Sequence, residues 1–435
     1  MPGATVSRDE VAEIMATACP AKDYRDKKIL VIVPDATRTA PVGLLFQTLF
    51  EQIGGVTRNL DVLIALGTHQ PMSEAAICER LEMSGAERGG KYRSVRFFNH
   101  AWNDPSALKR VGVISCAEIS RLSDGLFGMD VPVDVNKLVF DYDQIVIIGP
   151  VFPHEVVGFS GGNKYLFPGV GGPEILNFFH WLGAVVTNPM IIGNKWTPVR
   201  RVVDRAGAMV TVPKLCFCMV VEGTNLAGLF AGSPEAAWDA ASELSRQRHI
   251  TYKEKPFHTI LSCAPKMYDE LWTGGKCMYK LEPVLADGGE LIIYAPHITE
   301  VCVSHGDTIV EIGYHCRDYF LKQWERFKDY PWGVLAHSTH VRGIGKFENG
   351  VEECRARVTL ATGIPESVCR QISLGYRDPA SIDQNEFAGR EDEGILLVPK
   401  AGEMLFHLKN PPKWAGGKIS LNSSRGNEAL NCAEE

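Results

Sequence analysis

Short apolar segments bounded by turn residues recur along the chain and predict β-strands. Each segment has the length of a strand, is rich in β-branched residues and is hydrophobic throughout, which is typical of strands buried on both faces of a parallel sheet. The predicted strands are KILVIVPDAT (28–37), LDVLIALGTH (60–69), YDQIVIIGPV (142–151), FHTILSCAP (257–265) and GELIIYAP (289–296).

Helical patterns lie between these strands: VGLLFQTLFEQIG (42–54), SEAAICERLEMSG (73–85) and SPEAAWDAASELSRQR (233–248). Alternating strands and helices indicate an α/β fold with mostly parallel sheets. A chain of 435 residues is too long for one ordinary core. We therefore predict two α/β domains, residues 1–252 and 253–435, with a cofactor and substrate cleft between them.

Composition and charge narrow the class of protein. The chain is 45% hydrophobic and 22% charged, as expected of a globular protein. Its net charge of -7 and scattered basic residues argue against nucleic acid as a partner. No apolar run approaches the ~18 residues of a membrane span, and the N-terminus does not resemble a targeting signal. Twelve dispersed cysteines predict reduced thiols, and we expect a cytoplasmic protein.

Polar residues follow three of the predicted strands. The first strand runs into Asp35, Thr37 and Arg38, the second into His69 and the third into His154. Ligands of parallel sheets bind at the carboxyl ends of strands, so these side chains are candidates for one cleft. Each also has a structural interpretation: Asp35 and Thr37 would cap the following helix, and the others would be ordinary surface or core residues.

A glycine-rich segment, PHEVVGFSGGNKYLFPGVGG (153–172), follows the third strand. Glycines at this density indicate a loop built around a ligand, in which Lys164 binds a phosphate or acts as a nucleophile. A solvated loop lysine is the alternative. The spacing matches neither a Walker A loop nor GxGxxG. Further on, His180 in NFFHWLGA is either a core residue or a ligand of a transition metal such as nickel.

Together these motifs resemble the lactate racemase family, whose members depend on a nickel-pincer nucleotide. The matching segments are DATR (35–38), GTH (67–69), GFSGGNK (158–164) after His154, His180, PKMYDELW (265–272) and DYPWGVLA (329–336). The resemblance therefore covers most of the chain.

The resemblance implies a cofactor and its site. In this family the lysine, here Lys164, carries pyridinium-3,5-bisthiocarboxylic acid mononucleotide as a thioamide, with nickel bound by two sulfurs and a ring carbon. His180 then supplies the fourth nickel ligand. The implied cofactor-binding residues are Lys164, Asp35, Thr37, Ser160, Gly161 and Gly162.

The resemblance also implies an activity, the inversion of C2 of a 2-hydroxy acid by proton-coupled hydride transfer. His69 and His154 would be the acid/base pair, and Arg38, Tyr268 and Trp332 would bind the substrate. Proteins that synthesise the cofactor would be partners. Two other functions remain open: a non-catalytic carrier of the cofactor, and a metal-dependent hydrolase that binds zinc.

One departure from the family concerns the substrate. Lactate racemases follow the tyrosine with a glutamine and, three residues later, a carboxylate-binding lysine, whereas Asp269 and Trp272 stand here. Lys276, Lys280 or Arg342 would have to replace that lysine. The polar segment HSTHVR (337–342) is either a surface loop or a binding site for the hydroxyls of a larger substrate, such as a sugar acid.

Overall fold

The structure of the chain, a computed structural model, describes residues 5–37 and 39–412. In the N-terminal half the strands are β1 (Lys28–Pro34), β2 (Asn59–Ala65), β3 (Phe97–Asn99), β4 (Leu108–Ile114), β5 (Val131–Asn136), β6 (Gln144–Pro150), β7 (Pro153–His154), β8 (Gly158–Phe159), β9 (Lys214–Glu222) and β10 (Asn225–Gly232). The helices of this half are α1 (Arg8–Ala18), α2 (Val42–Ile53), α3 (Glu74–Arg80), α4 (Gly85–Gly89), α5 (Cys116–Leu122), α6 (Pro173–Val186), α7 (Asn188–Ile191), α8 (Pro198–Met209) and α9 (Pro234–His249).

The C-terminal half has the strands β11 (Ile250–Lys253), β12 (Phe257–Cys263), β13 (Leu285–Ala295), β14 (Gly345–Glu348), β15 (Val351–Cys354), β16 (Arg357–Thr362), β17 (Gly375–Tyr376), β18 (Ile395–Val398) and β19 (Leu405–Leu408). Its helices are α10 (Leu271–Gly274), α11 (Lys276–Tyr279), α12 (Gly306–Ile312), α13 (Arg317–Leu321), α14 (Trp324–Phe327), α15 (Trp332–Arg342) and α16 (Glu366–Gln371).

Each half is built on its own sheet. The first has six strands in the order β10-β9-β6-β1-β2-β3, parallel except for the β9–β10 hairpin. The second has five parallel strands in the order β17-β16-β13-β12-β18. All five predicted strands are present, and the predicted α/β fold with mostly parallel sheets is confirmed. Where the domain boundary lies stays a prediction.

The pattern over residues 73–85 predicts one helix, but the structure has two. Helix α3 ends at Arg80, and Ser84 caps the start of α4. In this capping box the Ser84 hydroxyl accepts the backbone N–H of Glu87, and the Glu87 carboxylate accepts the backbone N–H of Ser84. A serine three residues before a glutamate is a strong helix start, and it interrupts the longer helix here.

Helices α6 and α15 join the two halves. Because α6 is apolar on nearly all sides, it lies buried between the sheets. Its Trp181 stacks on Trp324 with ring centroids 5.5 Å apart. Gly333 at the start of α15 donates its backbone N–H to the Asn177 side chain of α6 at 2.9 Å. These contacts hold the C-terminal half directly over residues 177–181.

Two further observations concern the predicted class of protein. None of the helices in the described part of the chain is long and apolar enough to cross a bilayer. Ten of the described cysteines are free thiols, in agreement with the prediction of reduced thiols at those residues.

Candidate active site

A cavity between the two halves is lined by residues from neighbouring strand ends of the first sheet. Strands β6, β1 and β2 are adjacent, and their carboxyl ends lead to His154, Asp35 and His69. All three residues line the cavity, as do Lys164 and His180. The structure therefore brings together five of the residues that the sequence singles out.

Asp35 and His69 form a hydrogen-bonded pair. His69 Nδ1 lies 2.5 Å from Asp35 Oδ2, while Asp35 Oδ1 accepts bonds from the Thr37 backbone N–H at 3.1 Å and the Thr37 hydroxyl at 2.7 Å. Burial acts to raise the pKa of Asp35, but the charge of His69 and these hydrogen bonds outweigh it, and the pKa is lowered. An ionised carboxylate holds the proton on Nδ1, so Nε2 keeps its lone pair.

The alternative role of Asp35 and Thr37 as helix caps does not occur. Helix α2 begins after Pro41, and no side chain caps its first turn. Both residues instead organise His69, and Thr37 also lines the cavity. Arg38 lies outside the described residues.

His154 is held differently from His69. Its Nδ1 accepts the backbone N–H of Val156 at 3.2 Å, and the Glu155 carboxylate lies 3.3 Å from the same nitrogen. A ring nitrogen that accepts a hydrogen bond carries no proton, so the neutral ring bears its hydrogen on Nε2. In their neutral forms His69 therefore has a lone pair on Nε2, whereas His154 has a hydrogen there.

Hydrogen bonds and close packing fix the loop that carries Lys164. Ser160 Oγ donates to the Pro150 carbonyl at 3.1 Å and accepts the Phe152 N–H at 2.9 Å. Gly161 and Gly162 have φ of 94° and 59°, which favour glycine. A Cβ on Gly162 would lie 2.8 Å from the Pro234 carbonyl and 2.9 Å from Arg200 Nη2. Neither glycine lines the cavity, although Ser160 does, so these glycines allow close packing against the protein.

A buried polar network, which the sequence did not reveal, supports this loop. Arg200 donates to the Gly161 carbonyl at 3.1 Å and pairs with Asp204. Asn163 donates to Asp204 at 3.0 Å and to Glu235 at 2.6 Å. The loop before Lys164 is thus tied to α8 and α9, which leaves it little freedom to move.

His180 faces the cavity from α6. Its Nδ1–H donates to the carbonyl of Leu176, one turn earlier, at 2.7 Å, so Nε2 keeps its lone pair. Burial lowers the pKa of His180, the nearby Lys164 lowers it further, and the ring is neutral. A neutral imidazole with a free Nε2 is a common ligand of nickel and other transition metals.

Residues 337–342 form part of a helix, not the surface loop that was one of the two interpretations. They belong to α15, on which His337 and His340 are buried and line the cavity. His337 Nε2–H donates to the Trp272 carbonyl at 2.9 Å, and the two rings stack with centroids 4.0 Å apart. Burial lowers the pKa of His337 to about 3 and that of His340 to about 4.

Of the three cations considered for the substrate, Lys276 alone lines the cavity within the described chain. It lies 4.7 Å from the ring centroid of Tyr268. Lys280 is fully buried and donates to the carbonyls of Pro153 and Glu403, at 2.5 and 3.2 Å. Arg342, at the end of α15, lies outside the lining.

The two aromatic residues predicted to bind the substrate do not line this cavity. Tyr268 is fully buried behind Lys276. Trp332 donates its indole N–H to the Lys328 carbonyl at 2.9 Å and packs on Trp324. Trp272, which the sequence suggested only as a departure from the family, lines the cavity instead, as do Tyr165 and Tyr279.

The cavity offers few side-chain ligands for a metal ion that is held by the protein alone. Within residues 5–37 and 39–412, no cluster of three or more His, Cys, Asp or Glu side chains is arranged to hold a metal.

Sequence comparison gives one matching family model and one curated relative. Residues 14–190 match the sequence model described as the lactate racemase N-terminal domain. A lactate racemase from Thermoanaerobacterium thermosaccharolyticum is 23% identical over 288 residues, which are 64% of this chain and 61% of that protein. The chain thus aligns with less than two thirds of this curated relative.

Structural comparison extends the similarity to nearly the whole chain. A crystal structure of a Thermotoga maritima protein is 34% identical, with a TM-score of 0.86 over 94% of this chain and 100% of that one. The lactate racemase apoprotein from Thermoanaerobacterium thermosaccharolyticum has a TM-score of 0.67 at 17% identity, over 93% of each chain. The second likeness concerns the fold alone.

Proposed function

Because the chain belongs to the lactate racemase family, we propose that it is a racemase or epimerase that inverts C2 of a 2-hydroxy acid. The observation that supports this best is the shared cavity of His69, His154, Lys164 and His180. A carrier of the cofactor would need only Lys164 and His180, and a zinc hydrolase would not need the lysine. The four together favour the isomerase.

The proposed cofactor is the nickel-pincer nucleotide, attached to Lys164. The donor chemistry fits, because the hydrogen bond from His180 Nδ1 to Leu176 leaves Nε2 as a nickel ligand. When bound, the cofactor supplies a reversible hydride acceptor for C2 of the substrate. Proteins that synthesise the cofactor would have to load it, and they are the proposed partners.

His69 is the proposed base for one stereoisomer. Its Nε2 lone pair takes the proton of the C2 hydroxyl, and the ring becomes an imidazolium. Asp35, 2.5 Å from Nδ1, holds the ring in this orientation and stabilises the positive charge. Thr37 in turn fixes Asp35 through two hydrogen bonds.

His154 is the proposed acid for the opposite face. When the ring is protonated, Nδ1–H gives up the bond from the Val156 N–H and pairs with the Glu155 carboxylate 3.3 Å away, and Nε2–H delivers a proton to the substrate oxygen. In the reverse direction the two histidines exchange roles. Lys276 binds the substrate carboxylate, and the polar lining of α15 favours a sugar acid over lactate.

The test begins with protein made together with the cofactor-synthesis enzymes. Intact mass and peptide mapping should find the cofactor on Lys164, and Lys164→Arg, which keeps the charge, should carry none. A panel of 2-hydroxy acids and aldonic acids in deuterated buffer should then be inverted with the original hydrogen kept at C2. Deuterium at C2 would contradict hydride transfer, and a loaded protein that inverts no acid would contradict the isomerase.

A further inference from the structure

We propose that His337 and His340 determine specificity by binding hydroxyl groups beyond C2 of a polyhydroxylated acid. Neither residue was assigned a role by the resemblance to the family. The reacting acid rests on the proposed function, whereas hydroxyl binding is a property of this cavity alone.

His337 presents a hydrogen-bond acceptor to the cavity. A carbonyl oxygen accepts hydrogen bonds only, so the bond to Trp272 fixes the hydrogen on Nε2 and the lone pair on Nδ1. Nδ1 is buried and has no hydrogen-bond partner among the described residues. Since the stack on Trp272 fixes the ring, Nδ1 has a set direction.

His340 adds a second such nitrogen one turn along the same helix face. Its Nε2 is buried and has no partner in the described part of the chain, and the residue is 4% exposed. Buried polar atoms in folded proteins nearly always have a hydrogen-bond partner. Because both side chains line the cavity, the missing partner is best supplied by a ligand.

The charge state of these rings distinguishes hydroxyls from carboxylates. Burial keeps both imidazoles neutral at pH 7. The acceptor of His337 repels the lone pairs of a carboxylate but accepts a hydroxyl proton. The substrate carboxylate therefore goes to Lys276, and the hydroxyls of the remaining carbons go to α15.

The structure also has room for a longer substrate. A second cavity shares His69, Trp272 and Thr273 with the first and extends between the halves. Its lining includes the polar side chains of Gln70 and Asp269. Lactate has no hydroxyl beyond C2 with which to use this space.

The experiment measures binding, so that it does not depend on catalysis. Dissociation constants for gluconate and lactate are determined by calorimetry on the cofactor-loaded protein. The wild type should bind gluconate more tightly. His337→Phe and His340→Phe, which keep a flat ring but lose the nitrogens, should each reduce the gluconate preference about 10- to 100-fold.

Conservative variants separate hydrogen bonding from packing. His337→Asn restores a polar atom near the position of Nδ1, and His340→Gln restores one near Nε2, so each should recover part of the preference. His249→Phe is the control, because both nitrogens of that buried ring are already bonded, to Ser245 and Val221. It should leave the preference unchanged.

Ligand variants test the proposal if a protein variant does not fold. Deoxy analogues of gluconate, each without one hydroxyl, should bind the wild type unequally, with the loss confined to the hydroxyls that meet α15. Equal losses, no preference for gluconate, or loss of cofactor from the Phe variants in intact mass would overturn the proposal. If the protein prefers gluconate to lactate but does not invert C2, the result supports hydroxyl binding by His337 and His340 and contradicts only the proposed isomerase activity.

Discussion

At the residue scale, the proposed proton transfer depends on the carboxylate of Asp35. It determines which nitrogen of His69 is a base, although it does not touch the proposed reacting proton. The sequence placed both residues at strand ends, since apolar runs followed by polar residues are visible in it. It did not reveal their pairing, because residues 35 and 69 are distant along the chain and equally suited to capping or exposure.

Asp35→Asn should lower kcat/KM by roughly 10²- to 10⁴-fold in both directions. The amide donates to Nδ1 and thereby leaves the hydrogen on Nε2, and it no longer stabilises the imidazolium. Rates of inversion from each stereoisomer provide the measurement. The control is Asp61→Asn, a buried carboxylate that binds Arg96 and Tyr142 away from the cavity. An Asp35→Asn enzyme of normal rate would show that His69 is not the base.

Lys276→Met should raise KM for the acid by roughly 10- to 100-fold, because a charge-assisted bond to the carboxylate is lost. The variant should still carry the cofactor, which its intact mass will show. Lys322→Met, which removes a half-exposed surface lysine near Glu348, is the comparison. If loading falls while the fraction that still carries the cofactor keeps its KM, Lys276 serves the cofactor and not the substrate.

At the scale of elements, the loop before Lys164 depends on the absence of a side chain at Gly162. Gly162→Ala should destabilise the protein by about 1–3 kcal/mol more than Gly223→Ala. Both glycines have similar φ, 59° and 63°, but a Cβ at Gly162 would meet three atoms within 3.0 Å and a Cβ at Gly223 would meet none within 4 Å. Urea unfolding of the two variants gives the difference.

Equal destabilisation of the two variants would show that backbone conformation alone requires glycine at residue 162. The same experiment bears on the prediction from sequence. A dense run of glycines indicates close approach, but it does not say whether a ligand or the protein comes close. Here Arg200 and Pro234 come from α8 and α9, which no local pattern connects to the loop.

Helix α15 marks another limit of the sequence. Strands β1, β2 and β6 were predictable because their runs are apolar and short. Residues 332–342 mix apolar and polar side chains without a polar face, since the helix is buried against α6 on one side and lines the cavity on the other. Its polar residues therefore resembled a loop, and their role depends on the packing of the two halves.

For the whole molecule, the buried histidines predict sensitivity to acid. His100 and His249 have pKa values of about 4 in the folded chain, chiefly because burial disfavours the charged ring. The unfolded value is near 6.5. Between these values the unfolded chain binds protons that the folded chain does not.

The free energy of unfolding should therefore fall as pH decreases from 6.5 to 4, by about 1.4 kcal/mol per pH unit for each of these histidines. Urea unfolding at several pH values measures this slope. His249→Gln, which cannot take up the proton, should reduce the slope by one histidine's share, whereas replacing His258, which is exposed, should not. A stability that does not change over this range would contradict the prediction.

The two halves that meet at α6 and α15 contribute different parts of the proposed function. Residues proposed to exchange protons and hold the cofactor come from the half before residue 250, while Lys276, His337 and His340 come from the half after it. A chimaera that takes only its later half from a relative should consequently keep the reaction and acquire that relative's choice of acid, provided that a backbone N–H still meets Asn177 at the start of α15.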